Sequence, residues 1–389
     1  MGVWCGSGPF PPGFCRYPPR EAARMPTSTT LDELDHLLVT ALQTAPRADW
    51  RRIGAAIGAD ASTAARRWAR LTGAGLAWLA CFPAAVDWLT PVVAFIEIDC
   101  VPGRLHAVAA EIAEDPHVFN LEHVTGGRDL LMTVVVRDNA ELARYVGFRL
   151  GRLDGVAATR TQIATTLHSE GSRWRLDRLG REQRDLLAGD RPRGPGEPGG
   201  WVLRAEDQAL ARLLVEDCRQ PVARLAERTG LSPTTVRRRL ARMHGGGALM
   251  YRCEVARYLS GWPVTVYLWG AAPPDEVARL AALLAGLRET RMCASLTGSD
   301  NVLFTVWLRS VERVQSFETA LRRRFPQLTI TDRAVALWQV KLAGQLLDPQ
   351  GRHLRTVPFW TWDDPGTEDA LGDLVARLRE GPGPSASAP

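Results

Sequence analysis

Seven arginines fall between positions 219 and 242 (Arg219, Arg224, Arg228, Arg237, Arg238, Arg239 and Arg242), with Glu227 the single acid among them. A guanidinium presents a planar fork of donors that fits phosphate oxygens and the O6/N7 edge of guanine, so the cluster points to recognition of nucleic acid. A solvated helix face can carry the same charge, and spacing separates the two readings. If Val236, Leu240 and Met243 are the buried stripe of a helix, then at about 100° per residue Thr234, Arg238 and Arg242 point away from it, with Thr235, Arg237 and Arg239 on the flanks. The pattern also occurs upstream, where Ser62, Arg66 and Arg70 are exposed with Thr63 and Arg67 beside them. Small hydroxyl residues at the N-terminal end permit close approach to DNA, and arginines further along reach bases or backbone. Motif, spacing and charge all recur, which favours DNA contact.

The recurrence is an internal duplication at a constant offset of 172 positions, the step from Gly58 to Gly230, relating about Leu31–Leu167 to Leu203–Gln339. In each copy three short apolar-periodic segments read as helices: Leu31, Leu34, Leu38 and Leu42, then Trp50, Ile53 and Ile57, then Ala64, Trp68 and Leu71 in the first. The second segment ends on a glycine suited to a left-handed turn, and a capping residue follows, Asp60 or Ser62 in one copy and Ser232 before Pro233 in the other. Helix, glycine turn and capped basic helix form a helix-turn-helix. Strand-like runs follow, Val92–Ile98 and Val264–Trp269, then a helix, two strands joined at Gly126-Gly127-Arg128 or Gly298-Ser299-Asp300, a helix and a last strand. The fold class is therefore α+β: two copies of a winged, trihelical helix-turn-helix domain, each followed by a ferredoxin-like βαββαβ domain.

The expected boundaries are a disordered extension over 1–26, helix-turn-helix domains over 27–85 and 201–258, ferredoxin-like effector and pairing domains over 88–170 and 261–347, a linker over 171–200 and a tail over 348–389. The linker rests on the Gly/Pro-rich run from Gly189 to Gly200, and Met25 is an alternative start. In the tail, Pro358-Phe-Trp-Thr-Trp362 reads as a docking segment. A composition 46% hydrophobic and 23% charged is that of a globular protein, and 389 residues suit two to four domains. No run of roughly 18 apolar residues suggests a membrane span. The seven cysteines form no C-x-x-C pair and no metal-ligand spacing, so free thiols in a reducing cytosol are expected, with the repeat equivalents Cys81 and Cys253 as buried small hydrophobes.

On these motifs the chain resembles the Lrp/AsnC (leucine-responsive/asparagine-synthesis) regulators, in tandem form, over about Leu31–Leu167 and Leu203–Asp348. The resemblance implies a cytoplasmic, sequence-specific DNA-binding regulator of amino-acid-related genes, without catalysis, metal or cofactor. It also implies ferredoxin-like domains that pair and bind a small effector, commonly an amino acid, near the loop between their second and third strands. The family's Gly-x-x-Asp signature is matched by Gly126 and Asp129, beside Thr125; the second copy keeps Thr297 and Gly298 but has Asn301 at the acidic position, with Asp300 one place early. Both loops also read simply as hairpins needing positive φ, and Asp129 can bind an ammonium group or cap the turn.

Siroheme decarboxylases are similar to this family in architecture, which makes an enzyme the alternative. His106, His117, His123 and His168 are candidates for it, but their repeat partners are Ala278, Glu289, Ser295 and Val340, so no paired histidine site recurs. A third reading is a degenerate regulator acting through partner chains, since Trp50, Trp68 and Gly54 soften the first helix-turn-helix. The two reading helices differ in sequence, and an intrachain pseudo-dimer of the ferredoxin-like domains is the favoured mode of self-association.

Overall fold

A computed structural model describes residues 30–83, 91–190, 205–360 and 365–380. The first trihelical unit is α1 (Glu33–Thr44), α2 (Trp50–Ile57) and α3 (Ala61–Gly73), followed by β1 (Ala77–Pro83). The first ferredoxin-like unit comprises β2 (Val92–Cys100), α4 (Leu105–Ala113), β3 (Val118–Val124), β4 (Leu130–Val136), α5 (Asn139–Arg144) continuing into a π turn, and β5 (Val156–Ser169). After α6 (Arg181–Leu187) the order returns: α7 (Ala205–Glu216), α8 (Val222–Thr229), α9 (Pro233–Gly245), β6 (Leu249–Val255), β7 (Val264–Ala271), α10 (Val277–Ala285), β8 (Thr290–Leu296), β9 (Val302–Leu308), α11 (Arg313–Arg324) and β10 (Thr329–Leu342). Two short strands, β11 (Gln345–Leu347) and β12 (His353–Thr356), and α12 (Pro365–Glu380) complete the described chain.

Local signals act where the residues place them. Gly58 and Gly230 are left-handed at φ 73° and 70°, Asp60 caps α3 through the Thr63 amide, and Ser232 caps α9 through the Thr235 amide with Pro233 in the first turn. Gly54, expected to soften the first helix-turn-helix, answers to packing instead: a Cβ there would lie 2.6 Å from the Ala59 carbonyl oxygen. Trp68 is buried in the same trihelical core, and the Arg219 guanidinium sits 4.1 Å from the centroid of the Trp50 ring.

The two sheets join into one closed barrel. Within each copy the strands are ordered as in a ferredoxin-like sheet, β5-β2-β4-β3 and β10-β7-β9-β8. The last strand of each copy is 14 residues long, and its second half leaves its own sheet to pair with the other copy. Thus β5 pairs with β2 over 156–163 and with β8 from Ala164 to Ser169, while β10 pairs with β7 over 329–335 and with β3 from Ala336 to Leu342. Eight antiparallel strands close in a ring with no free edge, the outcome that removes unpaired backbone groups. Helices α4 and α5 cover one outer face and α10 and α11 the other. Near the hairpins the lumen is filled by Phe95, Leu131, Tyr267, Trp269 and Leu303. The strands that follow the helix-turn-helix units also pair across copies, β1 with β6, from Ala77↔Val255 to Pro83↔Leu249.

The expected linker over 171–200 is corrected in its first part. Leu176, Leu179 and Leu187 are buried in the core of the first trihelical unit, where α6 packs on α2, so residues 171–190 belong to that domain. Residues 191–200, the extension over 1–26 and Met25 lie outside the described residues. In the tail, β12 pairs with β11, and the His353 amide donates to the Gly75 carbonyl between α3 and β1. Residues 361–364 and 381–389 also lie outside the description.

Inside the barrel, Glu122 is fully enclosed, with its carboxylate held by the amide of Gln339 at 3.2 Å and by Tyr267, and with Arg257 as the nearby cation. Burial outweighs these partners and pushes its carboxyl from 4.5 up to about 7. Between those two pH values the native state keeps a proton that the unfolded chain has released, so stability falls as pH rises through this window. Glu122→Gln should therefore raise stability at pH 8 by on the order of 1–3 kcal/mol more than at pH 5. Urea denaturation at both pH values checks this, and an equal effect at both would show that the carboxyl does not titrate there.

Candidate nucleic-acid interface and effector hairpins

The third helix of each trihelical unit divides its arginines between structure and surface. In the first copy, Arg67 and Arg70 both reach Asp35 of α1, at 2.9 and 2.5 Å, and Asp35 is 1% exposed. In the second, Arg239 and Arg242 reach Asp207 of α7 at 2.8 and 3.0 Å, and Asp207 has no exposed surface. Asp35 and Asp207 are repeat equivalents that the charge pattern alone did not single out; an acid at the same place in both copies, 32 and 35 positions before two arginines, was the available signal. Arg67, expected on the flank, and Arg70 and Arg242, expected to point outward, thus join ion clusters that fasten the third helix to the first, while Arg70 and Arg242 keep 40% and 44% of their side chains exposed.

Arg219 also leaves the group of candidate phosphate contacts. It is held by the carbonyls of Pro46 and Ala48 at 2.5 and 2.9 Å, and its repeat equivalent Arg47 reciprocates to the carbonyls of Cys218 and Gln220. This crossed pair docks the two trihelical units on each other. Arg228 bonds Glu216 at 2.7 Å. Of the seven clustered arginines, Arg224, Arg237 and Arg238 are exposed and make no ion pair among the described residues.

Ser62, Arg66, Thr234, Arg237 and Arg238 are exposed, and Thr63 and Thr235 half-exposed, on the outer faces of α3 and α9. The two N-terminal ends differ in charge. Asp60 accepts from the Ser62 hydroxyl at 2.6 Å, from the Thr63 amide at 2.7 Å and from the Thr63 hydroxyl at 2.8 Å, which holds its carboxyl well below the usual range. A fixed negative charge therefore stands where a helix N-terminus would otherwise attract phosphate. At the equivalent place in α9 the cap is the neutral Ser232, bonded to the Thr235 hydroxyl at 2.9 Å.

The hairpin residues expected to bind an effector are engaged within the fold. Thr125 accepts from the Val335 amide at 2.9 Å, and Thr297 accepts from the Ile163 amide at 3.0 Å, so each ties its hairpin to the long strand of the other copy. Gly126 and Gly298 take φ of 103° and 109°, as hairpins with positive φ require. Asp129 Oδ2 accepts from the Cys100 amide at 2.7 Å, and Asn301 makes the same tie in duplicate, accepting from the Ala272 amide at 3.0 Å and donating to its carbonyl at 2.8 Å. The difference between aspartate and asparagine thus leaves a shared contact with the end of the neighbouring strand. Around the first hairpin, Arg128 bridges Glu97 and Asp332 over the face of Trp269, while Arg160 bridges Glu97 and Asp99. The four histidines do not gather. His117 is buried against Tyr145, His106 and His123 lie edge to face outside the barrel, and His168 bonds Ser295 Oγ at 2.8 Å.

Comparison with known proteins agrees with this geometry. The AsnC-type helix-turn-helix model matches at 31–72 and again at 206–244, on the two units whose third helices carry the exposed arginines. The Lrp/AsnC ligand-binding domain model matches residues 93–173. An uncharacterized HTH-type transcriptional regulator of Pyrococcus abyssi is 34% identical over 146 residues, which is 90% of that protein and 36% of this chain. The chain belongs to the Lrp/AsnC family of transcriptional regulators. The HTH-type transcriptional regulator FL11 of Pyrococcus furiosus is 27% identical over 143 residues, 93% of its length. These relatives are about the length of one repeat, which makes this chain a tandem member. Across the whole chain, the crystal structure of the siroheme decarboxylase NirDL shares the fold, with a TM-score of 0.53 at 12% identity, covering 90% of this chain and 100% of that one. No helix among the described residues is long and apolar enough to cross a membrane.

Two outcomes follow for this regulator. Replacing the charged cap, Asp60→Ser, should tighten binding to duplex DNA and steepen its salt dependence, and Ser232→Asp should do the reverse, measured by fluorescence anisotropy across a salt series. Unchanged affinity in both would remove α3 and α9 from the phosphate contacts. Asp129→Ala and Asn301→Ala should each cost about 1–3 kcal/mol in chemical denaturation, because each leaves a strand-end amide without its partner. A loss at Asp129 alone would show that the Asn301 bonds do not contribute to stability.

Proposed function

We propose that this chain acts as a covalent pseudo-dimer that reads an operator with two unlike helices, responds to a small molecule and catalyses no reaction. The observation that carries the reading is the pairing of β5 with β8 and of β10 with β3, which joins the two ferredoxin-like units within one chain. The crossed contacts of Arg47 and Arg219 and the β1–β6 ribbon support the same unit from the DNA-binding side. Contacts to DNA would come from Ser62, Thr63 and Arg66 on α3 and from Thr234, Thr235, Arg237 and Arg238 on α9. The second helix carries the larger share, since it has two unpaired arginines and a neutral cap.

An amino acid or a related compound is the effector class that the family resemblance supports. Occupation of Thr125, Asp129, Thr297 and Asn301 by the fold argues that these residues support the site's walls more than they hold the ligand. A location in the cytoplasm accords with work on DNA.

A homodimeric reader meets a palindrome because its helices are identical, with half-sites roughly 34–36 Å apart. Here the half-sites should be unlike. Selection from random DNA, followed by footprinting and mass measurement of the complex, tests this. On the selected operator Arg238→Ala should cost on the order of 1–3 kcal/mol and Arg66→Ala less. A perfectly palindromic operator bound only by an obligate dimer of chains would overturn the pseudo-dimer, and an absence of any selected sequence would overturn specific DNA reading.

A further inference from the structure

The barrel is filled at its hairpin end and hollow at the other. A cavity of about 550 Å³ lies there, within the usual range of small-molecule sites, and it opens to solvent beside Leu167, which is 42% exposed. Its walls come from both ferredoxin-like units, the β1–β6 ribbon, α7 and the Phe359-Trp360 segment. A cavity on the twofold axis of a homodimer would present every group twice, and duplication has removed that constraint. Phe119 on one wall is the repeat equivalent of Arg291 on the other, and Val135 is the equivalent of Trp307. The two walls are therefore unlike: at one such pair a phenyl ring corresponds to a guanidinium, at the other a valine corresponds to an indole.

Four arginines line the cavity (Arg137, Arg212, Arg252 and Arg291) against two carboxylates, Glu122 and Glu170. Arg252 and Arg291 are each 6% exposed, and although their terminal nitrogens bond Glu170 and Glu254, the buried Nε of each has no hydrogen-bond partner among the described residues. Buried donors without partners in the wall of a hollow are positions where a ligand acceptor is favourable. Arg137 and Arg212 stand exposed at the rim, the latter 4.8 Å from the ring of Trp360.

We propose that this cavity binds one molecule of an aromatic carboxylate, its ring system against Phe95, Phe119 and Val135 and its carboxylate toward the arginine wall. The site is separate from the effector hairpins at the other end of the barrel. Its purpose as a sensor rests on the regulator reading, but its occupancy can be measured without DNA.

The test uses the full chain and 1-anilinonaphthalene-8-sulfonate as a fluorescent reporter, displaced either by 1-naphthoate or by its neutral analogue 1-naphthalenemethanol. Saturation at one reporter per chain is expected, with the naphthoate displacing it about 10-fold more effectively than the alcohol, the ratio that one charge-assisted hydrogen bond supplies. Leu167→Trp fills the mouth from an already exposed position and should abolish saturable binding with the melting temperature unchanged. Arg137→Ala and Arg212→Ala, also exposed, should narrow the naphthoate preference while leaving displacement by the alcohol as it was. Absence of saturable reporter binding, retention of it in Leu167→Trp, or equal displacement by the two competitors would each overturn the proposal. Operator binding measured in parallel on the same variants keeps a failed cavity distinguishable from a failed regulator.

Discussion

The arrangement depends on two strands being too long for the sheets they begin in. A strand of ordinary length spans about five or six residues, whereas β5 and β10 run for 14 each and complete one sheet before entering the other. Without that crossing each copy would end in open sheet edges and leave an apolar sheet face to cover. With it, the inner faces meet in a lumen, Thr125 and Thr297 clasp the crossing strands, and the two trihelical units are brought to the same end of one body. In the proposed pseudo-dimer this pairing is a covalent version of what two separate chains would achieve by association, without dependence on protein concentration.

Divergence between the copies follows the division between scaffold and surface. Where equivalent residues hold the body together they are kept or replaced by a group that makes the same bond: Asp35 and Asp207 under the reading helices, Arg47 and Arg219 between the units, Asp129 and Asn301 at the strand ends. At the N-terminal ends of α3 and α9 and around the lumen, they have become different in kind. Asp60 stands opposite Ser232, Phe119 opposite Arg291, Glu97 opposite Trp269 and Arg160 opposite Asp332. The last two substitutions place the charged network of Arg128 and Arg160 at one hairpin only.

Much of this was legible in the residues because it is local. Helical periodicity, the left-handed glycines, the caps and the βαββαβ order are each set within a few positions, and the offset of 172 supplies every signal twice. Contacts between distant segments were not legible. The carboxylate that claims Arg67 and Arg70 lies on another helix, and the periodicity of α3 says only that these side chains leave the core, not what they meet. Residues 171–190 read as linker through their nearness to the Gly/Pro run, yet Leu176, Leu179 and Leu187 bury against α1 and α2. The cavity is a property of two sheets enclosing space, for which one strand at a time carries no sign. Cross-copy pairing was expected as the favoured mode of self-association, while its means, the length of β5 and β10, is a register that local pattern does not specify.

The ribbon of β1 and β6 connects these parts mechanically. α3 ends at Gly73 and β1 begins at Ala77; α9 ends at Gly245 and β6 begins at Leu249. Each reading helix is therefore joined to the ribbon by three residues, and the fixed register from Ala77↔Val255 to Pro83↔Leu249 sets the distance between the two helices. Gly75 lies within the first of these joints, where a Cβ would come 2.5 Å from the His353 carbonyl oxygen, so the tail strand braces the joint from outside. Phe82, Met250 and Arg252 of the same ribbon form part of the cavity wall. A molecule in the lumen and a duplex on the reading helices would thus bear on one two-stranded element from opposite sides. Coupling between the sites needs no longer path than that ribbon, whose two strands pair without a register shift from Ala77 to Pro83.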